Sequence, residues 1–144
     1  MHKALELLAY EENGKIKKSA LAYELQQHYR EILIDEYQDT NEAQDMLFAT
    51  LSRDNTNLFT VGDVKQSIYR FRLAMPEIFV AKSREYTLFD GETYPAKIIL
   101  GKNFRSRKGI LDNINFLFKN LMSEYAGEME YTDEDALYFG GGYP

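Results

Sequence analysis

The chain has 144 residues, one domain's worth and long enough to bury a core, with a composition of 44% hydrophobic and 28% charged residues that suits a globular protein. No apolar run approaches the length of a membrane span, and the acids of "MHKALELLAYEE" stand where a signal peptide needs an apolar core, so a cytoplasmic location is expected. The absence of cysteine excludes disulfides and thiolate metal sites, His2 and His28 are too few and too far apart in sequence for a histidine site, and the net charge of −6 is unevenly spread.

Taken in chain order, residues 2–10 and 19–30 read as helices, the second with Leu21, Leu25 and Tyr29 on one stripe. "EILID", residues 31–35, is a continuous apolar run ending in an acid, as expected of a strand covered on both faces. Asn41 with Gln44 three residues on has the form of a capping box. It opens a helix with Ala43, Met46, Leu47 and Leu51 on one side. "NLFTVGD", residues 57–63, is a second strand ending in Gly-Asp, and Pro76 suits the first turn of a helix running to about Tyr86. "FDGETYP" is a connecting loop, and "AKIILGKNF", residues 96–104, is a third strand. Ile110, Leu111, Ile114, Leu117, Phe118 and Leu121 then repeat at helical spacing, and "FGGGYP" ends the chain as a loop. Alternating helices and apolar strands argue for an α/β layered domain, a parallel sheet flanked by helices.

Charge follows its own pattern. Between Lys65 and Lys108 there are ten Lys/Arg and four Asp/Glu, a local balance of +6 that leaves −12 for the rest. Residues Glu124 to Asp135 hold six acids and no base, which reads as a solvated face. The basic middle could be solvated too, or it could meet phosphate.

The stretch "ILIDEYQDTN", residues 32–41, drives an apolar strand into paired acids. In open α/β sheets ligands sit at the carboxyl ends of strands. Asp35 and Glu36 would present two carboxylates there. Mg2+ favours carboxylate oxygen and keeps its waters, so one acid could hold a metal's water shell while its neighbour takes a proton from an attacking water. The same pair could also merely begin a solvated turn.

"ILIDEYQDTN" closely resembles the second helicase motif of UvrD/Rep-like superfamily 1 DNA helicases, a Walker B strand followed by an aromatic and then Gln-Asp-Thr. "VGDVKQSIYRFRLA", residues 61–74, resembles their third motif, and "LGKNFRSR", residues 100–107, their fourth. The motifs fall in the family's order, and the resemblance covers residues 31–121. Within the group, "GDVKQSIYRFR" and "KNFRSR" look most like the A subunits of bacterial ATP-dependent helicase/nucleases, relatives of RecB.

The resemblance implies a role for each matching residue. Asp35 would bind Mg2+ through its water shell, and Glu36, beside the same metal, would activate the attacking water. Gln66 would sense the γ-phosphate of ATP; its amide both donates and accepts, so it can report hydrolysis to the DNA side. Tyr69 and Phe71 would stack on single-stranded bases, with Arg72 near the strand; core packing is the other use of such aromatics. The family often has Trp at the position of Phe71. Phe104 would lie against the adenine, and Arg105 would reach the γ-phosphate, where an arginine fork suits phosphate. Arg107 and Lys108 read as solvated charges.

A phosphate-cradling loop should read G-x-x-x-x-G-K-[ST]. Neither Gly14-Lys15 nor Gly101-Lys102 has the upstream glycine or the following Ser/Thr. The Walker A loop is therefore missing, as are the family's fifth and sixth motifs and its nuclease domain. The expectation is an internal piece of a much larger helicase polypeptide, a partial RecA-like (P-loop NTPase) domain lacking its Walker A segment. Residues 1–30 would be a helical lead-in, 31–122 the later part of the RecA-like domain, and 123–144 an acidic segment leading to the next subdomain. By itself this chain is expected to turn over no ATP. The whole protein would couple ATP hydrolysis to movement on single-stranded DNA and unwinding of double-stranded DNA, in double-strand-break repair, and its partner would be the B subunit of the same enzyme. A helicase of the same group without a nuclease, or a non-catalytic module binding nucleic acid or a partner, are the alternatives.

Overall fold

The computed structural model describes residues 1–67, 73–123, 125 and 130–141. The chain divides into two units, Met1–Ala96 and Lys97–Pro144, each taken by itself below. Both mix helices with short strands, a mixed α/β arrangement.

In the first unit, α1 (His2–Leu8) runs directly into a hairpin of β1 (Ala9–Glu12) and β2 (Lys15–Lys18). The helix expected over 2–10 therefore ends early. Asn13 and Gly14 both take positive φ, 54° and 73°, the backbone of a two-residue hairpin turn. That turn draws Ala9 and Tyr10 into an antiparallel ladder.

Helix α2 (Ala20–His28) is capped by Ser19, whose hydroxyl accepts from the Ala22 N–H at 3.2 Å. Its stripe differs from the expected one. Leu21 and Tyr29 are exposed, whereas Ala22 and Gln26 are buried. The reason is a long-range hydrogen-bonding need: Gln26 Nε2 donates to the carbonyls of Thr50 at 2.9 Å and Ser52 at 2.6 Å. These carbonyls lie at the end of α3 (Glu42–Leu51) and lack intrahelical partners.

The expected capping box opens α3. Asn41 and Gln44 exchange side chain-to-backbone hydrogen bonds, both at 3.0 Å. On either side of this helix in sequence lie β3 (Ile32–Ile34) and β4 (Leu58–Thr60), paired in parallel with Leu33 opposite Phe59. The coverage of β3 on both faces is not found. Ile32 and Ile34 are half-buried, but Leu33 is 70% exposed and Phe59 beside it 55% exposed. Ile32 and Ile34 point to one face and Leu33 to the other, and that other face is open.

After β4, a 3-10 turn at Val64–Gln66 leads toward α4 (Pro76–Glu85), which begins on Pro76 as expected. Short strands β5 (Thr87–Leu88) and β6 (Ala96–Lys97) flank the loop over 89–95.

The second unit holds β7 (Lys102–Asn103), α5 (Lys108–Leu121) and β8 (Tyr138–Phe139), with β7 and β8 parallel. The single strand expected over 96–104 is broken. Ile98, Ile99 and Leu100 are exposed and extend neither β6 nor β7. A strand persists only where a neighbour supplies its ladder, and β8 supplies two residues of it. The loop expected at the end of the chain likewise begins one residue later, because Phe139 pairs with Asn103. Helix α5 forms as expected and buries Leu111. Asn115 ties it to β8: its amide donates to the Leu137 carbonyl at 2.9 Å and accepts from the Leu137 N–H at 2.9 Å and the Tyr131 hydroxyl at 2.7 Å.

Candidate functional site

Strand β3 delivers Asp35 and Glu36 to the carboxyl end of the parallel pair, where both are exposed. The backbone turns sharply there. Glu36 takes φ 51°, in the left-handed region that costs a side-chain-bearing residue some strain. The Asp35 carboxylate accepts from the Glu36 N–H at 2.9 Å and so steadies the turn.

Tyr37 anchors this edge. Its N–H donates to the Val61 carbonyl at 2.8 Å, one step beyond the Ile34 carbonyl that accepts from the Val61 N–H. Its side chain is buried, and the hydroxyl donates to the Asp45 carboxylate on α3. From α4, Lys82 Nζ reaches the same carboxylate oxygen at 3.0 Å and lies 5.0 Å from the Tyr37 ring centroid. Phe79 meets that ring edge-on at 5.8 Å. Three elements thus hold one aromatic, and the acids precede it directly.

Burial, with acceptance by Asp45 second, pushes the Tyr37 phenol up to about 12 from an ordinary 10.0, although Lys82 opposes the shift. Burial pulls the other way at Lys82, but its contacts with Tyr37 and Asp45 outweigh it and raise that ammonium too. A folded-state pKa above the unfolded one stabilises the fold below the unfolded value. The contribution of Tyr37 should therefore be complete below about pH 10 and lost as pH rises through 12. Tyr37→Phe is expected to cost about 1–3 kcal/mol at neutral pH and to flatten that alkaline loss. Urea unfolding at several pH values checks it; an unchanged alkaline slope would refute the anchor.

The next residue, Gln38, is 1% exposed and links the two turns. Its Nε2 donates to the Glu36 carboxylate at 2.6 Å, and its Oε1 accepts from the Asp63 N–H at 2.9 Å. Gly62 permits this approach: a Cβ there would lie 2.6 Å from Gln38 Oε1. Asp63 is itself a hub. Its carboxylate caps the second turn by accepting from the Lys65 N–H at 3.1 Å, pairs with Lys65 Nζ at 2.9 Å, and accepts from Gln66 Nε2 at 3.1 Å. Of the residues singled out from the sequence, Asp35, Glu36 and Gln66 are thus brought to one edge of the first unit.

Phe104 and Arg105 stand in the second unit. Asn103 Oδ1 accepts from the backbone N–H groups of Arg105 at 2.9 Å and Ser106 at 2.8 Å, a tight turn before α5. Both side chains are exposed, Phe104 by 66%. One side of its ring lies against Gly140. Tyr69, Phe71 and Arg72 lie outside the described residues.

Gln38 and Asp63 fall within the motifs quoted from the sequence, but no role attaches to them there, and the Tyr37–Asp45–Lys82 cluster is not foreseen. A glutamine between Tyr37 and Asp39 gives no local sign of burial. One sign was present: Gly62 directly before Asp63 marks a close backbone approach.

Comparison with known proteins places the chain in a family. The family model of the UvrD/REP helicase N-terminal domain matches residues 1–87. The chain is 47% identical over 146 residues to the A subunit of an ATP-dependent helicase/nuclease from Clostridium beijerinckii, covering 99% of this chain and 12% of that protein. A protein of the same description from Moorella thermoacetica is 50% identical over 135 residues, covering 91% of this chain and 10% of its own length. One from Clostridium acetobutylicum is 48% identical, covering 99% and 12% respectively. The chain thus spans only a small part of these relatives.

Proposed function

Because the chain belongs to the UvrD/REP helicase N-terminal domain family, we propose that it supplies the later part of a RecA-like motor domain in a larger ATP-dependent DNA helicase/nuclease polypeptide. That polypeptide would work with a B subunit on DNA in double-strand-break repair; the relatives are themselves named as A subunits, which supports a second one. The observation that carries the reading is the carboxyl edge of β3 and β4. Two exposed carboxylates follow one strand, Gln66 follows its parallel neighbour, and this edge is where open α/β sheets bind ligands.

In this reading Glu36 takes a proton from the water that attacks the γ-phosphate. Gln66 contacts that phosphate, and Arg105 stabilises the charge developing on it. Phe104 stacks on the adenine. The described residues hold no cluster of three acid, His or Cys side chains that could cage a metal. The donor set suits Mg2+ all the same, since that ion takes one or two carboxylates and keeps its waters. Asp35 would hold it through those waters, with Glu36 adjacent, and it would offset the charge of the phosphates.

Tyr69, Phe71 and Arg72 form the DNA side of the proposal. Stacking needs only a π-face, so it grips any base sequence, at about 1–3 kcal/mol per base. The test is Phe71→Ala in the complete helicase polypeptide. DNA-stimulated ATP turnover should fall more than basal turnover, and unwinding should fall further. Melting temperature measured beside both rates separates this from a core role. A loss of about 3–5 kcal/mol in stability with all activities lost together would retire Phe71 as a DNA contact.

A further inference from the structure

We propose that Gln38 is a positioning residue that sets the hydrolytic carboxylate by the place of the phosphate-sensing turn. The inference rests on the reading above, in which Glu36 takes the proton and Gln66 meets the γ-phosphate. It goes beyond it by joining the two through one buried amide.

The chain of contacts is continuous. Gln66 Nε2 donates to the Asp63 carboxylate at 3.1 Å, the Asp63 N–H donates to Gln38 Oε1 at 2.9 Å, and Gln38 Nε2 donates to Glu36 Oε2 at 2.6 Å. Twenty-five residues separate Gln38 from Asp63 in sequence, so the link exists only in the fold. Each end dictates the chemistry of the middle. Glu36 as a carboxylate only accepts, so its partner must donate. The Asp63 N–H only donates, so its partner must accept. An amide does both; a carboxylate, a thioether or a hydrocarbon does not. Asparagine has the amide but is one methylene shorter.

Burial makes the arrangement selective. At 1% exposure Gln38 has little recourse to bulk water, so its amide is held by protein partners. Gly62 closes the remaining freedom. A Cβ at that position would meet Gln38 Oε1 at 2.6 Å, the Gln38 backbone nitrogen at 3.2 Å and Phe79 Cε1 at 3.2 Å. The turn after β4 therefore seats itself directly on the Gln38 amide. A movement of that turn with Gln66 carries the Asp63 N–H with it, and the amide passes the movement to Glu36. Glu36 is exposed and sits on a left-handed residue, so this hydrogen bond is what aims it.

The test uses the complete helicase polypeptide, with ATP turnover, KM for ATP and melting temperature measured with and without an oligothymidine strand. Gln38→Met is near in volume and removes both hydrogen bonds. It should lower kcat at least about tenfold with KM for ATP within about twofold, because phosphate and base contacts are untouched. Gln66→Ala should lower kcat as well, and the double variant should be no slower than the slower single one, since both cut the same chain. Gly62→Ala keeps every polar group, displaces the amide most and presses the Gln38 backbone and Phe79 less, and should reproduce the kcat loss. It decides the matter if Gln38→Met does not fold. A wild-type kcat in either variant, multiplying losses in the double variant, or KM and melting temperature changing in step with kcat would overturn the inference. Glu36→Gln is measured alongside. If it turns over ATP normally, the general-base reading itself has failed. If it is inactive and Gln38→Met is not impaired, only the role of Gln38 is wrong.

Discussion

Glu36→Gln in the complete helicase polypeptide is expected to lower ATP turnover about 100- to 10,000-fold, the usual contribution of a positioned general base. ATP binding should persist. The substitution is isosteric, and the new amide oxygen can still accept from Gln38 Nε2, which now lies 2.6 Å from the carboxylate. Side-chain position is therefore kept while basicity is lost. The backbone is unaffected too, because the sharp turn at this residue is steadied by Asp35 and by the buried Tyr37, not by the Glu36 carboxylate. Phosphate release measured beside equilibrium nucleotide binding separates the two effects. Turnover at the normal rate would remove Glu36 as the base, and a parallel loss of binding would point to a structural role.

Short-range features of this chain were legible in its sequence. Asn41 with Gln44 and Pro76 at a helix start are local rules, and both elements begin there. The acids at 35 and 36 follow an apolar strand, and Gly62-Asp63 follow soon after its parallel partner β4, so the edge could be placed from the sequence even though β4 is shorter than the strand expected over 57–63. What failed depends on distant partners. Leu21, Leu25 and Tyr29 make the more apolar stripe of α2, yet the helix buries Gln26 because the carbonyls of Thr50 and Ser52 need its amide. Helical spacing points to a helix over residues 2–10, but the Asn13-Gly14 turn decides the outcome. Ile98 to Leu100 have strand-like side chains but no ladder beside them. Gln38 is the clearest case. Its neighbours Tyr37 and Asp39 give no hint that its amide meets a backbone N–H twenty-five residues away.

Arg105→Ala is expected to have the other large effect, a fall of about 1,000- to 100,000-fold in ATP turnover, as for an arginine that stabilises phosphoryl-transfer charge. The local turn presents the residue. Asn103 Oδ1 takes the N–H groups of Arg105 and Ser106, which bends the chain between β7 and α5 and leaves Phe104 and Arg105 side by side and exposed. Truncating this exposed side chain should change stability by no more than about 1 kcal/mol. ATP affinity should weaken only modestly, because Phe104 remains. Arg105→Lys sharpens the test. A guanidinium meets phosphate with two parallel donors, whereas an ammonium is a point charge on a flexible stem, so lysine should restore little of the rate. Arg107→Ala serves as the comparison: that side chain is exposed at the start of α5 and makes no side-chain cap, so its loss should leave turnover near normal. Equal losses in the two alanine variants would mean that general positive charge, and not the fork at 105, is what the reaction uses.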